Sequence, residues 1–246
     1  MMFTSAYEAI KPSHLDNDTA ENAQRYDERE ITGITILAYR DLPMLINKHV
    51  TGPRALDFGC GTGFSTRLLK SLGFDVIGVD ISLNMLSYAW AKKDGIPYAH
   101  IQHGKINADE NTFDLVLSVM VHFDIPSIAM VEQTQAEISR VLKPGGIFIG
   151  VVGSEHLHVN NWSTLMTDVE KNRNIKSGEV YAAYSAKHRI TFYDYFYADS
   201  DYKNVFAKTG LALVETHFPL GEESDDFKWS IETKTPAHAI YVCQKS

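Results

Sequence analysis

The stretch from Ala55 to Phe64, Ala-Leu-Asp-Phe-Gly-Cys-Gly-Thr-Gly-Phe, constrains this chain more than any other. Gly59, Gly61 and Gly63 alternate after an apolar run and before the helix-like Ser65–Lys70. Glycines at such spacing let a backbone approach a ligand closely and take turns closed to other residues. A strand, a glycine turn and a helix in that order form the opening unit of a parallel α/β sheet that binds a nucleotide. The same alternation continues along the chain. Helix-like Ser82–Lys93, strand-like Tyr98–Gln102, strand-like Asp114–Val119 and helix-like Ile128–Leu142 follow in turn, which predicts a doubly wound, mainly parallel sheet with helices on both faces.

Two acids narrow the ligand. Asp57 lies just before the turn, where a pyrophosphate would be repelled and a cationic group suited; a turn-forming or helix-capping carboxylate is the alternative. The spacing is G-x-G-x-G and not the G-x-G-x-x-G of dinucleotide sites. Asp80 ends the apolar run Asp75–Val79, placed to accept hydrogen bonds from both hydroxyls of an unmodified ribose. In a doubly wound sheet, ligands sit beyond the carboxyl ends of the strands, so Gly59, Asp80, His103 and Ser118 are expected to converge on one crevice.

With these residues, the chain resembles the class I S-adenosylmethionine-dependent methyltransferases of small-molecule type. The resemblance runs from Leu56 to Gly150 and takes in Thr112–Ser118 as a fourth strand and Ile138–Gly146 as a helix end leading into Ile147–Gly150. It implies a seven-stranded Rossmann-like sheet and S-adenosylmethionine as cofactor, with S-adenosylhomocysteine as product. Asp57, Gly59, Cys60, Gly61, Asp80, Ile81 and Ser118 are then cofactor-site candidates. The family often has an acid for adenine at the end of the third strand; here Gln102, His103 and Gly104 occupy that region. Tyr26, in Ala-Gln-Arg-Tyr-Asp, is similar to a tyrosine that reaches the methionine end of the cofactor, with outer packing as the alternative.

Four regions of one domain are expected: an N-terminal helical cap over 1–53, a cofactor-binding core over 54–152, a substrate-side insertion over 153–200 and the last part of the sheet over 201–246. A helix-like pattern runs through Ile31, Ile34, Leu37, Leu42, Leu45 and Ile46. In the insertion, Gly178–Tyr184 and Ile190–Ala198 read as an inserted β-hairpin, of the kind that covers the acceptor site as a lid in the family. A helix over Asp201–Lys208 and strands over Leu211–His217 and Ala239–Cys243 complete the sheet.

Methyl transfer from a sulfonium chiefly requires alignment and exclusion of water, yet an O–H or N–H acceptor must also lose a proton. His122, after the fourth strand, is the first candidate base, followed by His156 and His158; a structural role is the alternative for each. The pair at 156 and 158 lacks a third ligand, so no metal is expected.

A net charge of −8 disfavours nucleic acid as substrate, and no Asn/Asp-Pro-Pro-Tyr/Phe motif of nucleobase amino-methylating members follows the fourth strand. The 44% hydrophobic content suits one core. Two distant cysteines and the lack of about 18 consecutive apolar residues point to a soluble, cytoplasmic protein, monomer or homodimer, with no membrane partner. The reading is an O- or N-methyltransferase of a small, aromatic or heterocyclic metabolite. The alternatives are an RNA or protein methyltransferase and a non-catalytic S-adenosylmethionine-binding regulator.

Overall fold

A computed structural model describes residues 18–102 and 105–246. Three helices come first: α1 (Ala20–Glu28), α2 (Ile34–Tyr39) and α3 (Leu42–His49). The alternating body follows as β1 (Arg54–Phe58), α4 (Phe64–Ser71), β2 (Asp75–Asp80), α5 (Leu83–Ala91), β3 (Tyr98–His100), β4 (Phe113–Val119), α6 (Ile128–Val141) and β5 (Leu142–Gly153). Between β4 and α6 lies one 3₁₀ turn, His122–Asp124. Beyond β5 come β6 (Met166–Thr167), α7 (Val169–Asn172), β7 (Val180–Ser185), β8 (Ile190–Tyr195), α8 (Asp199–Lys208), β9 (Leu211–His217) and β10 (His238–Lys245).

The main sheet has seven strands in the order β3-β2-β1-β4-β5-β10-β9. The pairings from β3 through β5 are parallel, and β10 runs antiparallel to both β5 and β9. Successive residues of a strand face opposite sides, so Leu56, Val116 and Phe148 join one buried cluster while Ala55, Leu115, Ile147 and Ile149 join the other. Both faces are therefore covered, which is why the central strands read as unbroken apolar runs. The chain winds outward from β1 in both directions, and this switch opens a crevice at the carboxyl ends of β1 and β4.

Helix starts are fixed by capping hydroxyls. Ser82 Oγ accepts from Met85 N at 2.9 Å to begin α5, and Ser127 Oγ accepts from Met130 N at 3.3 Å to begin α6. The single apolar pattern from Ile31 to Ile46 becomes two helices, α2 and α3, with Pro43 in the first turn of α3. A proline there lacks the N–H and crowds the carbonyl four residues back, which breaks a continuous helix.

The expected hairpin forms from β7 and β8, and β6 adds a third strand to this small sheet. A third apolar cluster, with Ile34, Trp162, Leu165, Tyr181 and Ala183, joins the small sheet to α2. Among the described residues, no helix is long and apolar enough to cross a membrane. Cys60 and Cys243 are both free and buried.

Candidate active site

The glycine turn is built on backbone that only glycine takes cheaply. Gly59, Gly61 and Gly63 have φ of 73°, 54° and 89°. Gly59 N and Cys60 N both donate to Val79 O, at 2.8 and 3.0 Å, which ties the turn to the end of β2. A Cβ on Gly59 would lie 2.3 Å from Val121 Cγ2, so this glycine is required by packing. A Cβ on Gly61 would meet no atom of the described residues within 4 Å. The turn thus leaves an open cradle at Gly61, on the wall of a cavity of about 280 Å³.

Asp80 lines that cavity at the carboxyl end of β2. Its Oδ2 accepts from Gly61 N at 2.7 Å and its Oδ1 from Ser82 N at 2.8 Å. Burial pushes its carboxyl up, and those backbone donors work against the rise. The group is held rigidly beside the cradle.

Asp57 takes a different position from the direct cofactor contact that its sequence position suggested. It is fully buried and absent from the cavity wall. Its Oδ2 accepts from Ser65 Oγ at 2.7 Å and Thr66 Oγ1 at 2.6 Å, bracing the first turn of α4 against β1. Its Oδ1 has no hydrogen-bond partner. Burial raises its carboxyl to about 6 against the pull of the two hydroxyls. The turn-forming alternative describes what this side chain does here.

Helix α1 closes the opposite side of the cavity. Asp27 pairs with Lys92 Nζ at 2.7 Å, and Asp18 accepts from Ser82 Oγ at 2.5 Å, so both ends of this segment are tied to α5. Tyr26 lines the cavity, edge-on to Phe192 of β8 at 5.8 Å, with the Arg29 guanidinium 4.4 Å over its ring. Cys60 and Ile81 also line it, Ile81 being exposed at the rim.

The remaining candidates lie elsewhere. Gln102 is exposed and off the wall, where Ile101 stands instead; His103 and Gly104 lie outside the described residues. Ser118 is fully buried behind the wall, its Oγ 3.4 Å from His122 Nδ1. His122 is 1% exposed, bonded through Nε2 to Gln135 Oε1 at 3.0 Å and packed on Phe148 and Tyr202. Burial lowers this imidazole to about 4, so it is neutral and turned into the core, not toward the cavity. His156 is exposed in a loop, and His158 packs its ring 4.1 Å from that of Phe196. None of the three histidines lines the cavity. No group of three or more metal-ligating side chains occurs among the described residues.

Sequence reasoning passed over Tyr39, Met120, Asp124, Ile125 and Met130, all on the wall. Met120 has φ of 58°, a conformation uncommon outside glycine, and its N donates to Val151 O at 2.8 Å. That reversal turns the chain after β4 so that Val121 seats on Gly59 and Asp124 reaches the cavity. Asp124 stands two residues from His122, and the histidine was the more conspicuous signal.

Comparison with known proteins agrees with this geometry. A methyltransferase domain model matches residues 56–150. The ubiquinone biosynthesis O-methyltransferase of Burkholderia multivorans is 28% identical over 213 residues, covering 80% of this chain and 81% of that one. The sterol 24-C-methyltransferase ERG6B of Gibberella zeae is 32% identical over 136 residues, 52% of this chain and 32% of that protein. A demethylmenaquinone methyltransferase of Renibacterium salmoninarum is 32% identical over 97 residues, 39% of this chain and 40% of that one. The chain thus spans less than half the length of these last two. Among solved structures, an S-adenosylmethionine-dependent methyltransferase from Listeria monocytogenes superposes with a TM-score of 0.66 at 19% identity, covering 87% of this chain and 99% of that one. The CcbJ methyltransferase of Streptomyces caelestis superposes with 0.65 at 16%, covering 91% and 96%. Residues 56–150 carry a methyltransferase domain, and the glycine cradle with the Asp80 carboxylate beside it agrees with S-adenosylmethionine as its cofactor.

Proposed function

We propose that this enzyme transfers a methyl group to the oxygen or nitrogen of a small, aromatic or heterocyclic metabolite. The observation that carries the reading is the cavity wall, where Tyr26, Tyr39, Ile125 and Met130 offer aromatic and apolar surface together with the acid Asp124. Aromatic faces of this kind suit a flat ring, and the thioether of Met130 adapts to its shape. The ubiquinone biosynthesis O-methyltransferase, aligned over four-fifths of both chains, supports an oxygen acceptor of small size.

S-adenosylmethionine supplies an electrophilic methyl group on a sulfonium. The chain's own residues bind, orient and exclude water. Asp80 fixes the ribose, Gly61 leaves room for the backbone to close on the ligand, and Ile81, Ile101 and Met85 offer an apolar bed for the adenine. Tyr26 and Tyr39 wall the methionine end from solvent, tethered through α1 and α2. His122, His156 and His158 serve structure or solvation in this reading, since none faces the cavity. A cytoplasmic site of action, supported by two free cysteines, and action as a monomer or homodimer belong to the same proposal.

The test is a calorimetric titration with S-adenosylmethionine, S-adenosylhomocysteine and NAD, followed by transfer of labelled methyl groups to separate pools of phenols, amines, RNA and protein. Binding of the first two ligands alone, with label recovered in a phenol or amine, is expected. Label recovered in RNA or protein, or selective binding of NAD, would overturn the reading.

A further inference from the structure

Two aspartates from different elements meet at the acceptor end of the cavity. Asp124 ends the 3₁₀ turn after β4 and lines the cavity wall. Asp194 belongs to β8, which packs on that same turn. Alternation along β8 puts Phe192 and Asp194 on one face, and Phe192 is the ring that touches Tyr26. Asp194 is only 6% exposed. Its Oδ2 receives one long hydrogen bond, 3.4 Å from the Tyr181 hydroxyl, and its Oδ1 has no partner.

Among the described residues, the groups that face Asp194 are Tyr181 on β7, Tyr202 on α8, Tyr26 on α1 and Asp124 on the 3₁₀ turn, and none of these is a cation. The Arg29 guanidinium on the cavity wall lies over the Tyr26 ring and bonds Tyr39. A buried carboxylate with no cation and a vacant oxygen is strongly disfavoured, and here a second carboxylate adds repulsion. Burial and the Asp124 charge therefore hold Asp194 well above the usual carboxylate range. Asp194, buried and raised, favours its protonated form, while Asp124 opens onto the cavity; two acids in such different surroundings suit different roles.

We propose that Asp124 is the catalytic residue that accepts the proton of the methyl acceptor, and that Asp194 is the positioning residue that holds Asp124 toward it. This rests on the methyltransferase reading above. As the acceptor oxygen or nitrogen bonds to the methyl carbon, the carbon–sulfur electron pair stays with sulfur. The O–H or N–H pair stays with the acceptor atom, and its proton passes to an Asp124 oxygen and then to solvent. No oxidant or metal is needed.

The first measurement uses the protein alone. Carbon-13 NMR of aspartate-labelled enzyme is expected to show the Asp194 carboxyl titrating above the ordinary carboxylate range, and Asp124→Asn to shift its titration to lower pH by removing the facing charge. An Asp194 that ionises in the ordinary carboxylate range, or is indifferent to Asp124→Asn, overturns the pair. With the phenol or amine returned by the labelling screen, Asp124→Asn is expected to lower kcat by about 10²–10⁴-fold and to abolish the acid limb of the kcat/KM profile. Its Kd for S-adenosylmethionine stays within threefold of wild type. Asp194→Asn, which keeps the shape and donor of the neutral acid, recovers at least tenfold over Asp194→Leu. An Asp124→Asn enzyme turning over within threefold of wild type overturns the proton-acceptor role. Wild-type protein that binds no S-adenosylmethionine overturns the function proposed above, whereas the carboxyl titration fails only if the aspartate pair itself is misread.

Discussion

Alanine at Gly61 and alanine at Gly59 have opposite consequences, although the two glycines look equivalent in sequence. Both replacements put a Cβ into left-handed backbone, at φ of 54° and 73°. That conformation costs an L-residue about 1–2 kcal/mol, partly offset by the ~0.4–1 kcal/mol gained from a less flexible unfolded chain. At Gly61 no atom of the described residues stands within 4 Å of the new methyl group, so a net loss of about 1 kcal/mol and a fall in melting temperature of about 2–4 °C are expected. At Gly59 the methyl group lies 2.3 Å from Val121 Cγ2 and 2.9 Å from Cγ1. Valine is stiff about χ1, so relief must come from the backbone, which adds about 1–3 kcal/mol and brings the fall to roughly 5–15 °C. Cofactor affinity reverses the ranking in its cause. Gly61→Ala fills the cradle itself, and the Kd for S-adenosylhomocysteine is expected to rise at least tenfold, about 1.4 kcal/mol, in a protein that is still folded. Calorimetric melting and ligand titration on both variants decide it. A Gly61→Ala protein that melts near wild type and binds within twofold of it would show that the cradle does not take the ligand.

Asp80→Ala removes the acceptor of the Gly61 and Ser82 amides together with the proposed ribose partner, and a charge-assisted bond of about 1.5–3 kcal/mol predicts a tenfold to hundredfold rise in Kd for S-adenosylmethionine. An unchanged Kd would reject the assignment. His122 is held neutral at about 4, below its unfolded value of 6.5. Between these values the unfolded chain binds a proton that the folded chain refuses, so this group's contribution to stability falls as pH falls. His122→Gln is therefore expected to lose more melting temperature at pH 7 than at pH 5 relative to wild type; an equal loss at both would contradict burial of the neutral ring. Chelator treatment is expected to leave ligand binding and turnover unchanged, and restoration of a lost activity by magnesium or zinc would refute metal independence.

The alternation of strand-like and helix-like patterns, the glycine turn and the position of Asp80 were legible in the sequence because each is local. A turn of left-handed glycines, an apolar strand and an acid at its end are neighbours along the chain, and their geometry follows from backbone sterics and pleat alone. Even the β7–β8 hairpin was visible as two aromatic-rich runs around a polar turn. The direction of a side chain after a strand end was not. Ser118, His122 and Asp124 follow one another within seven positions, yet Ser118 on β4 and His122 are buried in the core and only Asp124, beyond the left-handed Met120, reaches the cavity. Asp57 likewise reads as a ligand acid until Ser65 and Thr66 claim it from the next helix. Asp194 has no local mark at all. Its place opposite Asp124 arises from a strand 70 residues later folding onto the 3₁₀ turn, and burial without a cation, which gives it chemical meaning, is a property of that packing. The cofactor end of this protein was written in contiguous residues; the acceptor end exists only where distant elements close on one another.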